Sequence, residues 1–176
     1  MTRRSALAAA IAATALALPL GTAHALTAGP ANFNVTVTIA NFCTISAGNV
    51  TFGSVNAGAA ATNTASSVTL TCNKGAQVTS VVLNNGTNPS VTQKRMKDPV
   101  SGDFLNYFID RPTGATFNTC PAVGTAEWNA TGIVATPLFA VTGGAKLITL
   151  CASIPAGQFP SAGAYSDTVA VTATYN

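Results

Sequence analysis

The residues with the clearest capacity for chemistry are four cysteines, Cys43, Cys72, Cys120 and Cys151. An even number of cysteines is typical of disulfide bonds in exported proteins, and three pairings are open. Proximity favours Cys43 with Cys72 and Cys120 with Cys151, each closing a loop of about thirty residues that contributes on the order of 3 kcal/mol. The rival is a metal site, but the chain has no C-x-x-C spacing and no histidine after residue 25. We predict two disulfides and neither a metal nor another cofactor.

Acid–base catalysis lacks its usual side chains in this sequence. The only histidine is His24, and the acidic residues are Asp98, Asp103, Asp110, Glu127 and Asp167. Because no histidine follows His24, no Ser–His or Cys–His pair can form within residues 26–176. Asp98 and Asp103 could bind calcium, but the ligand density is low and a solvated turn fits the sequence better. The sequence therefore predicts a protein that is not an enzyme.

Residues 1–25 have the composition of a secretion signal. Two arginines precede an apolar run over residues 6–20, and a small-x-small cleavage pattern follows it. The run is interrupted by Pro19 and is shorter than the roughly 20 residues that span a bilayer. We expect export and a mature chain, residues 26–176, that has no membrane anchor and is extracellular, at the cell surface or secreted.

The mature chain is nearly neutral. The whole sequence has a net charge of +3, and loss of the two signal arginines leaves six basic against five acidic residues, a net charge of +1. Such a balance disfavours capture of nucleic acid or anionic membrane. Lys94, Arg95 and Lys97 form a small basic cluster, which we interpret as a solvated strand edge rather than a nucleic-acid site.

The strictest hydrophobic alternation lies in residues 31–43. Asparagine and threonine residues alternate there with Phe33, Val35, Val37 and Ile39. Because side chains repeat every two residues along a strand, the four apolar groups share one face. Residues 31–40 are therefore predicted to be a half-buried strand that forms an N-terminal arm of the mature protein.

The remaining pattern is β throughout. Further strands are predicted over residues 67–72, 77–83, 104–109, 138–141, 146–154 and 167–175. Turn sequences such as Asn85-Gly86 and Gly143-Gly144 separate them, and residues 53–66 are expected to be a loose connection. About seven short strands in about 150 residues predict a single all-β domain over residues 26–176, an immunoglobulin-like antiparallel β-sandwich.

Several segments carry a resemblance to a known family. They are the strand over residues 33–39 running into Cys43-Thr44-Ile45, then Phe52-Gly53, Val68-Thr69-Leu70-Thr71-Cys72, Leu105-Asn106-Tyr107 and the closing run GAYSDTVAVT over residues 163–172. Together they resemble the spore coat protein U domain family, which includes the pilins of archaic chaperone-usher (Csu-type) pili. The closing run is the most specific part of the resemblance, which covers essentially the whole mature chain.

The resemblance implies an incomplete sandwich whose missing strand is donated by the N-terminal arm of the next subunit. The donor-strand contacts would be Phe33, Val35, Val37 and Ile39. The implied partners are neighbouring pilin subunits, a periplasmic chaperone and an outer-membrane usher. The implied function is that of a structural fimbrium subunit in cell adhesion and biofilm formation, and the single domain indicates a shaft or adaptor position.

Two alternatives stay open. Residues 31–40 could fold back as the first strand of a complete domain. The protein could also be a stand-alone secreted or coat β-sandwich that binds carbohydrate or a surface, with Trp128, Tyr107 and Phe139 as aromatic contacts. Such residues more often pack in a core.

Overall fold

The computed structural model describes residues 26–132 and 143–176. The chain divides into two units, Met1–Val37, of which residues 26–37 are described, and Thr38–Asn176. Residues 26–37 contain neither strand nor helix, whereas the second unit contains strands only in its described part. The expected all-β fold is confirmed for the described residues.

The described part of the second unit contains ten short strands, and several of them are rich in β-branched residues, which suit a pleated, half-buried surface. They are β1 Cys43–Ala47, β2 Ala61–Asn63, β3 Ser67–Cys72, β4 Val78–Leu83, β5 Arg95–Lys97, β6 Phe104–Asn106, β7 Phe108–Asp110, β8 Gly144–Thr149, β9 Cys151–Ile154 and β10 Val171–Tyr175.

Every ladder between these strands is antiparallel. One sheet has the order β1-β3-β8 and another the order β2-β9-β7, while β10 pairs with β4 and β5 with β6. β1 and β3 start their register with Cys43 opposite Cys72 and end it with Ala47 opposite Val68. β1 pairs only with β3, and β10 pairs only with β4. Each of these two strands therefore has one edge without a partner strand among the described residues.

One apolar run of the sequence forms β8 and β9, which belong to two different sheets. The sequence predicts one strand over residues 146–154, but the structure breaks it at Leu150, whose N–H donates to the Ser66 carbonyl at 2.8 Å. Residues before the break pair with β3, and residues after it pair with β2 and β7. An apolar pattern reports burial and not the partner strand, so the change of sheet is invisible in the sequence.

One hydrophobic core lies between the sheets. Val68 and Leu70 of β3 are buried in it, as their alternation predicts, and Val78 and Val81 of β4 are buried as well. Trp128 is also fully buried, and its indole Nε1–H donates to the Val81 carbonyl at 2.9 Å. That bond satisfies the single polar group of the largest side chain in the core.

Two disulfides tie the strands together. Cys43 is bonded to Cys72, which lies opposite it in the ladder of β1 and β3. Cys120, in the loop after β7, is bonded to Cys151 at the start of β9. No described cysteine is free, and this pairing is the one that proximity along the chain favours.

The predicted strands are reproduced to different extents. The strand predicted over residues 67–72 coincides with β3. The strand predicted over residues 77–83 corresponds to β4, which begins one residue later. Residues 104–109 are divided at Tyr107 between β6 and β7. The predicted signal over residues 1–25 and the predicted strand over residues 138–141 lie outside the described residues.

The N-terminal prediction requires a correction at the level of this single chain. Residues 31–40 were expected to form a half-buried strand, but they are exposed and the first strand begins only at Cys43. A strand needs a neighbouring backbone to accept and donate its hydrogen bonds, and residues 31–39 have no such ladder among the described residues. Residues 53–66, expected to be loose, contain β2.

The prediction of a solvated basic edge is wrong for Lys94, whereas Arg95 is half-buried and Lys97 is exposed. Lys94 is fully buried, and its Nζ donates to the Trp128 carbonyl at 2.8 Å and to Glu127 Oε1 at 3.3 Å. Burial lowers the pKa of Lys94, and the neighbouring Glu127 carboxylate opposes that effect. Lys94 therefore joins β5 to the segment that carries Trp128.

Replacing Lys94 tests this buried contact. We expect Lys94→Ala to lower the free energy of unfolding by about 2–3 kcal/mol, because it leaves a buried carbonyl and a partly buried carboxylate without their donor. Urea unfolding of the oxidised protein measures the change. Lys74→Ala, at an exposed lysine, is the matched control and should change stability by less than about 0.5 kcal/mol. Equal effects of the two substitutions would contradict a structural role for Lys94.

Candidate functional site: an apolar groove with two open edges

An apolar groove runs between two segments, a first wall over residues 47–59 and a second wall over residues 160–171. The groove comprises two adjoining cavities of about 520 and 660 Å³. The cavities share the lining residues Val50, Thr51, Phe52, Met96 and Tyr165. They are therefore parts of one continuous depression in the second unit.

The first wall leaves the sheet just after β1. The Gly48 N–H still donates to the Ser67 carbonyl at 2.9 Å. Beyond it, Val50 and Phe52 have no backbone hydrogen bond to any described residue, although their half-buried side chains pack against the core. The wall therefore combines apolar side chains with an unpaired backbone edge.

The second wall has the same character. Ser166 exchanges two backbone hydrogen bonds with Lys97, at 2.9 and 3.1 Å, and the Ala170 carbonyl accepts from the Asn84 N–H at 3.0 Å. Alternate residues of an extended chain direct their N–H and C=O groups to opposite sides. Val169, between those two anchors, has no backbone hydrogen bond within the described residues, so its polar groups form an open edge.

The floor of the groove is the hydrophobic core itself. Val68, Leu83, Ile109 and Leu150 line the first cavity, and Ile154 lines the second. Small residues dominate the wall of the second cavity, which includes Ala57, Ala59, Ala162, Gly163 and Ala164. Among the described residues that line the groove, only Asp167 is charged. The groove therefore suits an uncharged, apolar occupant.

Asp167 does not present a free charge to the groove. Its carboxylate accepts from the Tyr107 hydroxyl at 2.7 Å and from the Thr87 N–H at 2.8 Å. Burial raises the pKa of Asp167, but the hydrogen bonds from Thr87 and Tyr107 outweigh it and hold the pKa below its usual value. Burial and the Asp167 carboxylate together raise the pKa of Tyr107. The pair fixes the second wall to the floor.

Two further carboxylates brace the other end of the second wall. Asp103 Oδ2 accepts from the Ser161 N–H at 2.9 Å, and hydrogen bonding from Ser161 lowers the pKa of Asp103. A Cβ added at Gly163 would lie 2.6 Å from Asp98 Oδ2, so the chain passes too close for any larger residue. Asp98 itself accepts from Ser101, and the described residues contain no cluster of three metal-ligating groups.

The residues predicted to contact a neighbour lie outside any ladder. Phe33, Val35, Val37 and Ile39 are 85%, 84%, 83% and 77% exposed. Four large apolar side chains in alternation at such exposure are unusual for a water-facing segment. The sequence identified these residues as contacts, whereas groove residues such as Phe52, Tyr107 and Asp167 entered as parts of the family resemblance and were not predicted to form a groove.

The aromatic residues considered for carbohydrate binding are placed differently. Trp128 is fully buried and Tyr107 is 5% exposed, so both belong to the core. Phe139 lies outside the described residues. In the described part of the chain, no helix has the length and apolarity to cross a membrane.

Removing the charge of Asp167 tests how the second wall is held. We expect Asp167→Asn to lower the free energy of unfolding at neutral pH by about 1–2 kcal/mol and Tyr107→Phe to lower it by about 1 kcal/mol. Because folding lowers the pKa of Asp167 below its ordinary 3.8, its contribution is complete above that pH and is lost as the pH falls through the lower, folded value. The difference between wild type and Asp167→Asn should therefore shrink in acid. Urea titrations between neutral pH and about pH 2 measure it, and a constant difference would contradict the assignment.

Comparison with known proteins identifies the family. A family model for the Spore Coat Protein U domain matches residues 30–172. Comparison with curated proteins finds no significant match. A solved structure, the CsuC-CsuE chaperone-tip adhesion subunit pre-assembly complex from archaic chaperone-usher Csu pili of Acinetobacter baumannii, is similar at 23% identity with a TM-score of 0.49. That likeness covers 77% of this chain and 40% of that chain, so this chain spans less than half of its length. Because the family model matches most of the sequence, the chain belongs to the Spore Coat Protein U domain family.

Proposed function

We propose that the protein is an exported structural subunit of an archaic chaperone-usher pilus that polymerises by donor-strand complementation. The observation that carries the proposal is an apolar groove with two unpaired backbone edges in the same chain as an exposed, alternating apolar arm. The groove of one copy would receive residues 31–40 of the next. Family membership and the resemblance of the closing run to pilins support the same role.

The chemistry of the arm matches the chemistry of the groove. Residues 31–40 carry no charge, and Asp167, the one charged residue in the described lining, is already engaged by hydrogen bonds. An extended arm over residues 31–40 is about 33 Å long. Its backbone would pair with edges such as Val50 and Val169, and alternate side chains would enter the cavities.

The energy available is sufficient for a specific contact. Burial of Phe33, Val35, Val37 and Ile39 is worth about 2 kcal/mol each, or about 8 kcal/mol in total before ordering costs. Strand addition also pairs main-chain groups that otherwise remain bonded only to water. Both terms favour insertion over leaving an exposed arm and an open groove.

The geometry of such a contact sets the form of the assembly. Arm and groove are different surfaces of one chain, so each copy uses both in a head-to-tail contact, which generates an open filament rather than a closed pair. A periplasmic chaperone would cover the groove before assembly, because an open apolar edge is prone to aggregation. An outer-membrane usher would then order the subunits into a fibre that serves adhesion and biofilm formation.

The alternative in which residues 31–40 fold back into their own domain receives no support from the strand pairing. In that alternative residues 31–40 would be the first strand of their own sheet, but no described residue before Cys43 belongs to a strand. The stand-alone carbohydrate-binding alternative loses two of its three aromatic contacts, because Trp128 and Tyr107 are buried.

Charge placed on the arm tests donation. We expect Val35→Asp with Val37→Asp to abolish incorporation through the arm, because each buried carboxylate would cost several kcal/mol. The matched control is Thr36→Asp with Thr38→Asp, which adds the same charge to the opposite face of the strand. Each variant is purified as a complex with its chaperone, released, and examined for fibres by electron microscopy and for folding by urea unfolding.

The two outcomes separate the models. Donation predicts that the valine variant folds as stably as the threonine control and still accepts a wild-type arm, yet cannot donate its own. A valine variant that unfolds would indicate that residues 31–40 belong to their own domain. A valine variant that forms fibres as well as the control would exclude this arm as the donor.

A further inference from the structure

We propose that Asn73 is a positioning residue that clamps the root of the N-terminal arm and so sets how rigidly one subunit is joined to the next. The inference rests on the proposed function, because the root, residues 40–42, becomes the joint between subunits only if the arm is donated. The observation itself lies entirely within the second unit, in contacts between the root and the turn after β3.

The Asn73 carboxamide imitates one rung of a β-ladder. Its Nδ2 donates to the Ala40 carbonyl at 3.1 Å, and its Oδ1 accepts from the Phe42 N–H at 2.8 Å. In addition, the Asn73 backbone N–H donates to the Phe42 carbonyl at 3.0 Å. Three hydrogen bonds from one residue thus hold the root as an extension of the pairing between β1 and β3.

Asn73 is well fixed for this task. It follows Cys72, whose disulfide to Cys43 joins the first rung of the ladder of β1 and β3. The Asn73 carbonyl accepts from the N–H of Ala76. Ala76 is fully buried and lies two residues before β4. Asn73 is therefore held in place by the adjacent disulfide and by a hydrogen bond to a buried residue of the core.

No flexible residue separates the donor strand from the segment that Asn73 holds. Ile39 is the last of the four alternating apolar residues, and the next residue, Ala40, is already hydrogen-bonded to Asn73. A flexible linker would need several residues with free backbone dihedrals between donor strand and domain. Here the donated segment passes directly into a held segment, so bending between subunits must first break the contacts of Asn73.

Only asparagine provides this pair of bonds at this length. Aspartate keeps the acceptor for the Phe42 N–H but has no donor for the Ala40 carbonyl, and alanine has neither group. Asn73→Ala therefore removes both side-chain bonds, and Asn73→Asp removes one. Asn129→Ala is a matched control, because Asn129 Oδ1 accepts from a nearby backbone N–H, that of Thr131, in a turn remote in sequence from the root.

Two measurements test the inference. Hydrogen exchange is followed at the Phe42 amide in subunits whose groove is filled by a synthetic peptide of residues 31–40, and the persistence length of fibres is measured by electron microscopy. We expect Asn73→Ala to accelerate exchange at Phe42 by about tenfold while global stability of the disulfide-bonded domain is largely kept. Fibres should still form, because arm and groove are unchanged, but their persistence length should fall by about twofold or more. Asn73→Asp should keep Phe42 protected and yet soften the fibre, and Asn129→Ala should change neither quantity.

The outcomes distinguish this inference from the proposed function. Wild-type and Asn73→Ala fibres of equal stiffness would overturn the clamp and leave donor-strand assembly intact. If Asn73→Ala does not fold, Asn73→Asp decides, and unchanged fibre stiffness in that variant again overturns the clamp. Wild-type subunits that form no fibre would refute the proposed function, and the clamp's role as a joint would fall with it.

Discussion

The structure depends on one unmet requirement, which is the need of every strand edge for hydrogen-bond partners. Val50 and Phe52 on one wall and Val169 on the other bring apolar side chains to the core while their backbone groups remain without partners among the described residues. Between the walls, the floor consists of core residues such as Leu150 and Ile154. Such a surface favours the addition of a strand, because a strand satisfies the backbone and fills the groove at once.

Side chains replace the ladder where the walls are open. Asp167 is held by Tyr107 and Thr87, Ser161 is held by Asp103, and the disulfide of Cys43 anchors the first wall through β1. These contacts keep the groove formed without occupying it. Elsewhere in the chain the acidic residues also act structurally, since each of them accepts a hydrogen bond inside the molecule: Asp98, Asp103, Asp110, Glu127 and Asp167. A near-neutral sequence therefore uses its carboxylates for structure.

The sequence predicts some elements well and others poorly, for identifiable reasons. β3 was predicted to the residue, because Val68, Leu70 and Cys72 alternate with threonines and serine on a sheet with one wet face. The prediction over residues 167–175 is correct only for β10, since alternation continues through Val169 although the ladder does not reach it. Lys94 was assigned to the surface, because a lysine is rarely buried without a partner and Glu127 lies far along the chain.

The sequence by itself determined the all-β class, the alternating arm with Phe33 and Ile39 at its ends, and a disulfide pairing favoured by proximity. These features depend on local periodicity and on residue type, which need no knowledge of distant neighbours. The groove, the break at Leu150 and the clamp of Asn73 on residues 40–42 were decided only by the tertiary structure. They depend on which segments come together across the fold, and alternation in the sequence reports that a face is buried without reporting what covers it.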